Sequence, residues 1–401
     1  MNTAPATALS DAEIAAARQV TPGCRADLVH LNHAGASLPP QVVLDAQVEH
    51  LRAEALQGGY EAAAAAAGRD DDVYNSIAAL IGADPEEIAR TEHATAAWNA
   101  AFWSIPMERG QRVLVHDQEY GANIVAFLRA AEVHGVVIDR IPSDATGAVS
   151  VEAYRDALGD GDGVALASLT HVPTNGGLVN PAAEIGAATR AVGVPFLLDA
   201  CQSLGQLRVD VNDIPCDFLS ATSRKYLRGP RGTGFLYARR EILDRVAPSQ
   251  PDHDGALLVA ADRFEWSPGA RRFQYWEYSH AAWLGLGAAV DYLDTWGIDR
   301  IEVTVRERAE ELRNLLVGIG YQVHDDGAVR SGIVTTTSPR RNAPELQAHL
   351  ADAGINSTHT IAGSSRWDVD RRGLAEMLRL SVHYTTTVEE LHRTVEVLAH
   401  A

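Results

Sequence analysis

The sequence predicts an α/β protein: a large domain built on a mostly parallel sheet, followed by a smaller α+β unit. Three observations carry this. The chain has 401 residues, and at about 150 residues per domain that length suggests two units rather than one. Between about residues 40 and 280, short apolar or β-branched runs alternate with Ala- and Leu-rich stretches, the pattern of strand–helix repeats. Beyond about residue 285 the alternation gives way to long helical stretches and then to short strands mixed with helices.

Residues 1–30 are set apart as an N-terminal segment able to pack on either unit. The large domain, 31–285, opens with the run EAAAAAAG at 61–68, a helix on alanine's propensity. Its strands are QRVLVHD, GVVIDRI, GVALASLTHV, VPFLLDA, DFLSATS and GTGFLYA, nearly continuous apolar runs of the kind buried on both faces of a parallel sheet. The stretches AWLGLGAAVDYLDTWG and IDRIEVTVRERAEELRNLLVGIG are helices leading out of that sheet. The small domain, 286–401, then reads strand YQVHD, strand GIVTTTS, helix APELQAHLADAG, strands INSTHT and RLSVHYT, and a final helix TVEELHRTVEVLAHA. No repeat of fixed period is visible.

Composition narrows the function. With 46% hydrophobic and 22% charged residues the chain reads as a globular protein, and no apolar run approaches the ~18 residues of a membrane span. Its first twenty residues lack a basic start followed by an apolar core, so the expected location is the cytoplasm. A net charge of −19 disfavours nucleic acid and anionic membranes and favours a small-molecule substrate. Cys24, Cys201 and Cys216 form no CxxC pair, which argues against a disulfide framework and a structural metal.

Among 34 cationic side chains only residue 225 is lysine. A guanidinium cannot form a Schiff base at neutral pH, whereas a lysine amine can. Lys225 lies in ATSRKYLRGPRGTG, between a strand and a Gly-rich loop through which backbone can approach a ligand. Asp199 ends the apolar strand VPFLLDA, at the edge where α/β sheets present ligand-binding side chains. An amine, a carboxylate to keep a pyridine nitrogen protonated, a phosphate cradle and a cation for a carboxylate are what a pyridoxal-phosphate site requires.

The strings DACQSLGQ and SRKYLRGPRGTGFLYA resemble the class V aminotransferase group, and the resemblance runs from LNHAGASLPP to RLSVHYTTTVEEL. It implies the fold of pyridoxal-phosphate (PLP) transferases of fold type I, with a seven-stranded-type sheet, and PLP as cofactor. It also implies Lys225 as Schiff-base lysine, Asp199 as partner of the pyridine nitrogen and Gln202 as partner of the ring oxygen. Ala94 and Thr95 match the phosphate loop; Thr222 and Arg224 match further phosphate positions, where the arginine fork is chemically suitable. Tyr120 stands where desulfurases of the group stack a histidine on the ring. Asn175 matches a residue near the ring oxygen or substrate carboxylate. Arg379 matches the arginine that receives the α-carboxylate. Trp276 and Glu277 fall in a segment that, in the group, crosses a homodimer interface toward the partner's phosphate.

The group holds cysteine desulfurases, selenocysteine lyases, isopenicillin-N epimerases and the C–S lyase of ergothioneine biosynthesis. Desulfurases use a cysteine in the small domain, and the matching stretch 357–368 contains none. EALQGGYEAA, EYGANIV and SRKYLRGPRG look most like the ergothioneine-pathway lyase. Enzymes that process cysteine-S-conjugates in natural-product pathways, lincosamide antibiotics among them, are equally compatible. The expected activity is therefore cleavage of an S-substituted L-cysteine to a sulfur product, pyruvate and ammonia, begun by Lys225 as base. Epimerisation, transamination and decarboxylating oxidative deamination are the alternatives. His33, Tyr60, His359 and Arg366 are candidates to line the leaving-group pocket.

Overall fold

The computed structural model describes residues 6–24, 27–374 and 376–401. Seven strands form the main sheet: β1 (Ile88–Thr91), β2 (Arg112–His116), β3 (Val137–Ile141), β4 (Val164–Thr170), β5 (Phe196–Asp199), β6 (Phe218–Thr222) and β7 (Gly234–Ala238), in the order β1-β7-β6-β5-β4-β2-β3. Only β7 runs antiparallel to its neighbours, β1 and β6, so the sheet is mostly parallel, as the sequence predicts.

β4, β5, β6 and β7 are buried at every residue, which explains their unbroken apolar runs. Alternate side chains feed two hydrophobic layers. Leu114, Leu198 and Leu219 join one layer with Ile77 and Trp283. Val113, Leu197 and Phe218 join the other with Trp98, Phe102 and Phe127. Strand β1 escapes the sequence reading because IART is short and half polar; it is a strand by virtue of pairing with β7.

The helix over residues 61–68 is part of Gly59–Ile81. The two helices leading out of the sheet are His280–Asp294 and Ile298–Gly318. A second, four-stranded sheet contains Gln322–Val323, Ile333–Thr337, Leu378–Ser381 and Thr358–His359, in that spatial order. INSTHT is not one strand. Its first half, Ile355–Asn356, pairs with Val29–His30, and its second half joins the four-stranded sheet. The helix Asp11–Gln19 packs toward the C-terminal helices, where Glu13 pairs with Arg300 at 2.7 Å and Arg18 with Glu390 at 2.8 Å. No helix among the described residues is long and apolar enough to cross a membrane.

Candidate active site

Parallel strands converge their carboxyl ends, and here Thr170 of β4, Asp199 of β5 and Thr222 of β6 meet at one edge of the sheet. They border a cavity of about 260 Å³, together with Ala94, Thr95, Tyr120, Gln202, Arg224 and Lys225. Eight of the nine residues predicted to hold the cofactor therefore lie around one space, the exception being Asn175. Helix α1 (Ala94–Phe102) starts at this cavity. The Nδ1 of His93 accepts from Ala96 N–H at 3.0 Å and its carbonyl from Ala97 N–H at 3.1 Å, leaving the N–H groups of Ala94 and Thr95 for an anion. Gly234 permits this approach: a Cβ there would sit 2.4 Å from Ala221 O and 3.2 Å from Ala94 N.

Lys225 follows β6 in a turn that is tied from both sides. Its carbonyl accepts from Arg228 N–H at 2.9 Å, Ser223 O accepts from Gly229 N–H at 2.8 Å, and the neighbouring Tyr226 O meets His383 Nε2 at 2.8 Å. Among the described residues the Lys225 ammonium makes no ion pair. Burial pushes it below its ordinary range; Cys201 and Asp199 oppose that, while Arg224 and Arg379 reinforce it. A lysine held this way reaches the neutral, nucleophilic form more readily than one in water.

Asp199 is held on both oxygens: Oδ1 accepts from Cys201 N–H at 3.0 Å and Oδ2 from Asn123 Nδ2 at 3.2 Å. Gln202 donates from Nε2 to Ala34 O at 3.2 Å and to Thr174 Oγ1 at 3.3 Å, while its buried Oε1 has no partner among the described residues. Arg224 is anchored by donating to Gly35 O. Arg379 stands behind the cavity wall. Its Nη1 donates to Thr174 O and Oγ1, both at 3.0 Å, its Nη2 to Asn32 Oδ1 at 3.4 Å, and its buried Nε has no partner among the described residues. Burial, with Arg224 adding and Tyr226 opposing, pushes it down to about 10, so it stays cationic at neutral pH.

Other predicted residues lie elsewhere. Asn175 is buried outside the cavity lining and donates to Ser364 Oγ at 3.1 Å. His33 does not line the cavity: it is buried against Ser37 Oγ at 2.9 Å and packed edge-on with His30 and His383, because the turn after Leu31 directs it inward. Burial holds it well below the usual histidine range. Tyr60 is 78% exposed at the start of a surface helix, and His359 is tied to Gln347 Oε1 at 2.5 Å on a strand of the small sheet. Arg366 is an exposed helical partner of Asp370. Trp276 and Glu277 are exposed, Trp276 stacking on His253.

Sequence reasoning missed His93, Trp98, Asn123, Thr170, Val172 and Thr174 as cavity residues, and with them Glu119, wholly buried behind Asn123 and Thr170. The one available signal was an acidic residue four positions before an asparagine across a helix start, Glu119 and Asn123.

These residues fit pyridoxal phosphate. Among the described residues, a lysine without an ion pair, a carboxylate fixed by two donors, N–H groups left over at a helix start and a Gln202 oxygen without a partner are groups of the kind that complement it.

A sequence model of the family described as aminotransferase class-V matches residues 29–394. A probable cysteine desulfurase of Methanothermobacter thermautotrophicus is 28% identical, over 93% of this chain and 94% of its own. The isopenicillin N epimerase of Streptomyces clavuligerus is 29% identical, over 80% of this chain and 82% of its own. In fold, the chain is similar to the cystine C–S lyase C-DES in complex with its reaction product cysteine persulfide, with a TM-score of 0.84, 23% identity, and coverage of 94% of this chain and 99% of that one.

Proposed function

This chain belongs to the class-V aminotransferase family, and on that premise we propose that it cleaves the C–S bond of an S-substituted L-cysteine, releasing a sulfur product, pyruvate and ammonia. The state and place of the thiols carry this reading. Segment 357–368 holds no cysteine. Cys201 borders the cavity, but burial and the Asp199 charge push its thiol well above the ordinary range, so at neutral pH it offers no thiolate to attack sulfur. Cys216 is buried and pushed up to about 12, and Cys24 lies in a separate groove beside Arg18. The sulfur must then leave on its own substituent, as it does in β-elimination.

When bound, pyridoxal phosphate supplies an electron sink for the charge that develops at Cα. Lys225 would hold it, with Asp199 keeping a proton at the ring nitrogen, the Ala94 and Thr95 N–H groups and Arg224 on the phosphate, and Tyr120 beside the ring. Arg379, its Nη groups already fixed, offers Nε to the substrate carboxylate and so orients Cα. Lys225 Nζ takes the Cα proton. The C–H electron pair becomes the second Cα–Cβ bond as Cβ–S breaks, sulfur leaves with the bonding pair and gains a proton, and water hydrolyses the released enamine to pyruvate and ammonium. The reading includes a homodimer with the exposed segment around Trp276 and Glu277 turned toward the partner.

One observation favours epimerisation as a second reading. The protonated Cys201 thiol borders the same cavity as Lys225 and is an additional acid there; likeness to an isopenicillin N epimerase agrees with this. A panel of S-substituted L-cysteines, scored for pyruvate, thiol and solvent deuterium at Cα, separates the two. Pyruvate matched by thiol from at least one thioether supports elimination. Deuterium at an inverted Cα without pyruvate would replace it by epimerisation, and conversion of free cysteine alone to alanine would replace it by desulfurisation.

A further inference from the structure

Behind Asp199 lies a second carboxyl group that no cofactor contact requires. Glu119 is fully buried. Its Oε1 accepts from Thr170 N–H at 3.2 Å, and its Oε2 from Thr170 Oγ1 at 2.8 Å and from Asn123 Nδ2 at 3.1 Å. The same Asn123 Nδ2 donates to Asp199 Oδ2 at 3.2 Å. One amide NH₂ thus spends both hydrogens on two carboxyl groups, and neither carboxyl has an ion-pair partner among the described residues. Asn123 sits on the helix Gly121–His134, one turn beyond Glu119, while Thr170 ends β4 beside Asp199. The bridge therefore ties the helix start to the two strand ends that carry the site.

We propose that Glu119 is a positioning residue that acts through Asn123, fixing the Asp199 carboxylate and exchanging a proton with solvent when the cofactor's ring nitrogen binds there. This inference rests on the assignment of PLP to the cavity. Two like charges joined by one amide repel in a dry setting, so Glu119 gives up its proton more readily once a positive charge arrives beside Asp199. Burial, with Asp199 adding and the Asn123 and Thr170 hydrogen bonds opposing, pushes Glu119 up to about 7. Among the described residues, the titratable groups facing it are Asp199 on β5 and Tyr154, a buried phenol whose own proton burial and Glu119 hold in place. A protonated ring nitrogen set against Asp199 lowers Glu119 and expels its proton; Tyr154 stays neutral throughout.

The test counts protons instead of turnovers. PLP binding to the apoprotein at pH 6.5 is measured by calorimetry in two buffers of different ionisation enthalpy, for wild type, Glu119→Gln and Asn123→Ala. Glu119→Gln should release fewer protons than wild type, by roughly half a proton, and Asn123→Ala, which cuts the bridge and leaves Glu119 in place, should shift the count in the same direction. In the holoenzyme, the pH midpoint of the cofactor's absorption change should fall in Glu119→Gln by about 0.5 unit, because an ionisable negative charge near the cation has gone. A proton count and a midpoint both equal to wild type in either variant would overturn the proposal. Absence of PLP binding in the wild type would instead remove the cofactor assignment on which it rests.

Discussion

Replacing Arg379 by lysine keeps a positive charge and removes the fork. In the structure Nη1 is committed to Thr174 O and Oγ1 at 3.0 Å, and Nη2 to Asn32 Oδ1 at 3.4 Å, while the buried Nε has no partner among the described residues. Lysine has one donor centre and cannot satisfy Thr174 and a substrate carboxylate together. A hydrogen bond to a charged group contributes about 1.5–3 kcal/mol, so kcat/KM for a cysteine thioether should fall roughly 10- to 150-fold at 1.4 kcal/mol per decade. The loss should sit mainly in KM, since the carboxylate contact is made in ground and transition states alike. Thr174 also receives Gln202 Nε2, so PLP affinity is measured in parallel; a change there of less than threefold separates the substrate effect from a cofactor effect. Steady-state kinetics showing an unchanged KM would take Arg379 out of the carboxylate site.

Three further outcomes follow from the same geometry. Lys225→Arg should eliminate the covalent product that borohydride reduction fixes on residue 225, read by peptide mass; a reduced adduct at any other residue would defeat the assignment. Asp199→Asn should retain PLP while turnover drops on the order of 100-fold, and near-normal rates would place the ring-nitrogen partner elsewhere. Because Glu119 is raised from 4.5 to about 7 in the fold, the native state holds that proton more tightly than the unfolded chain. The stabilisation it gives is full below about 4.5 and is lost as pH rises through about 7. Urea unfolding of the apoprotein at pH 5 and pH 8 should show wild type losing about 3 kcal/mol relative to Glu119→Gln across that interval; parallel pH dependence in the two proteins would contradict the buried-carboxyl account.

What the sequence made legible follows from local physics. Strands buried on both faces must be apolar throughout, so β2 and β4 to β7 could be read directly, whereas the edge strand β3, buried only at Ile141, shows a shorter apolar run and β1, whose residues IART lack such a run, depends on its pairing with β7. Lys225 was visible because arginine fills every other cationic position, and Asp199 because a carboxylate at the end of FLLD needs a reason to be there. Residues whose placement depends on distant chain segments were not legible. Glu119 reads as a loop charge until Thr170, 51 positions away, is brought to it. His33 has the composition of a site residue, yet its neighbours His30, Ser37 and His383 enclose it away from the cavity. Tyr60 and Arg366 have the chemical type of a pocket residue, yet both face solvent.

Elimination without a protein thiol is tested most directly by a chain that has none. With Cys24, Cys201 and Cys216 all replaced by serine and PLP kept saturating, so that any packing change beside Asp199 and Gln202 does not masquerade as lost chemistry, the variant is given the best S-substituted L-cysteine. Pyruvate and the sulfur product are then quantified together, and the wild type is examined by intact-protein mass for an added sulfur atom. Elimination should give equal amounts of pyruvate and thiol from the cysteine-free variant and no persulfide on the wild type. A persulfide on the wild type, with C–S cleavage lost in the variant, would make this protein a desulfurase with an unusually placed nucleophile.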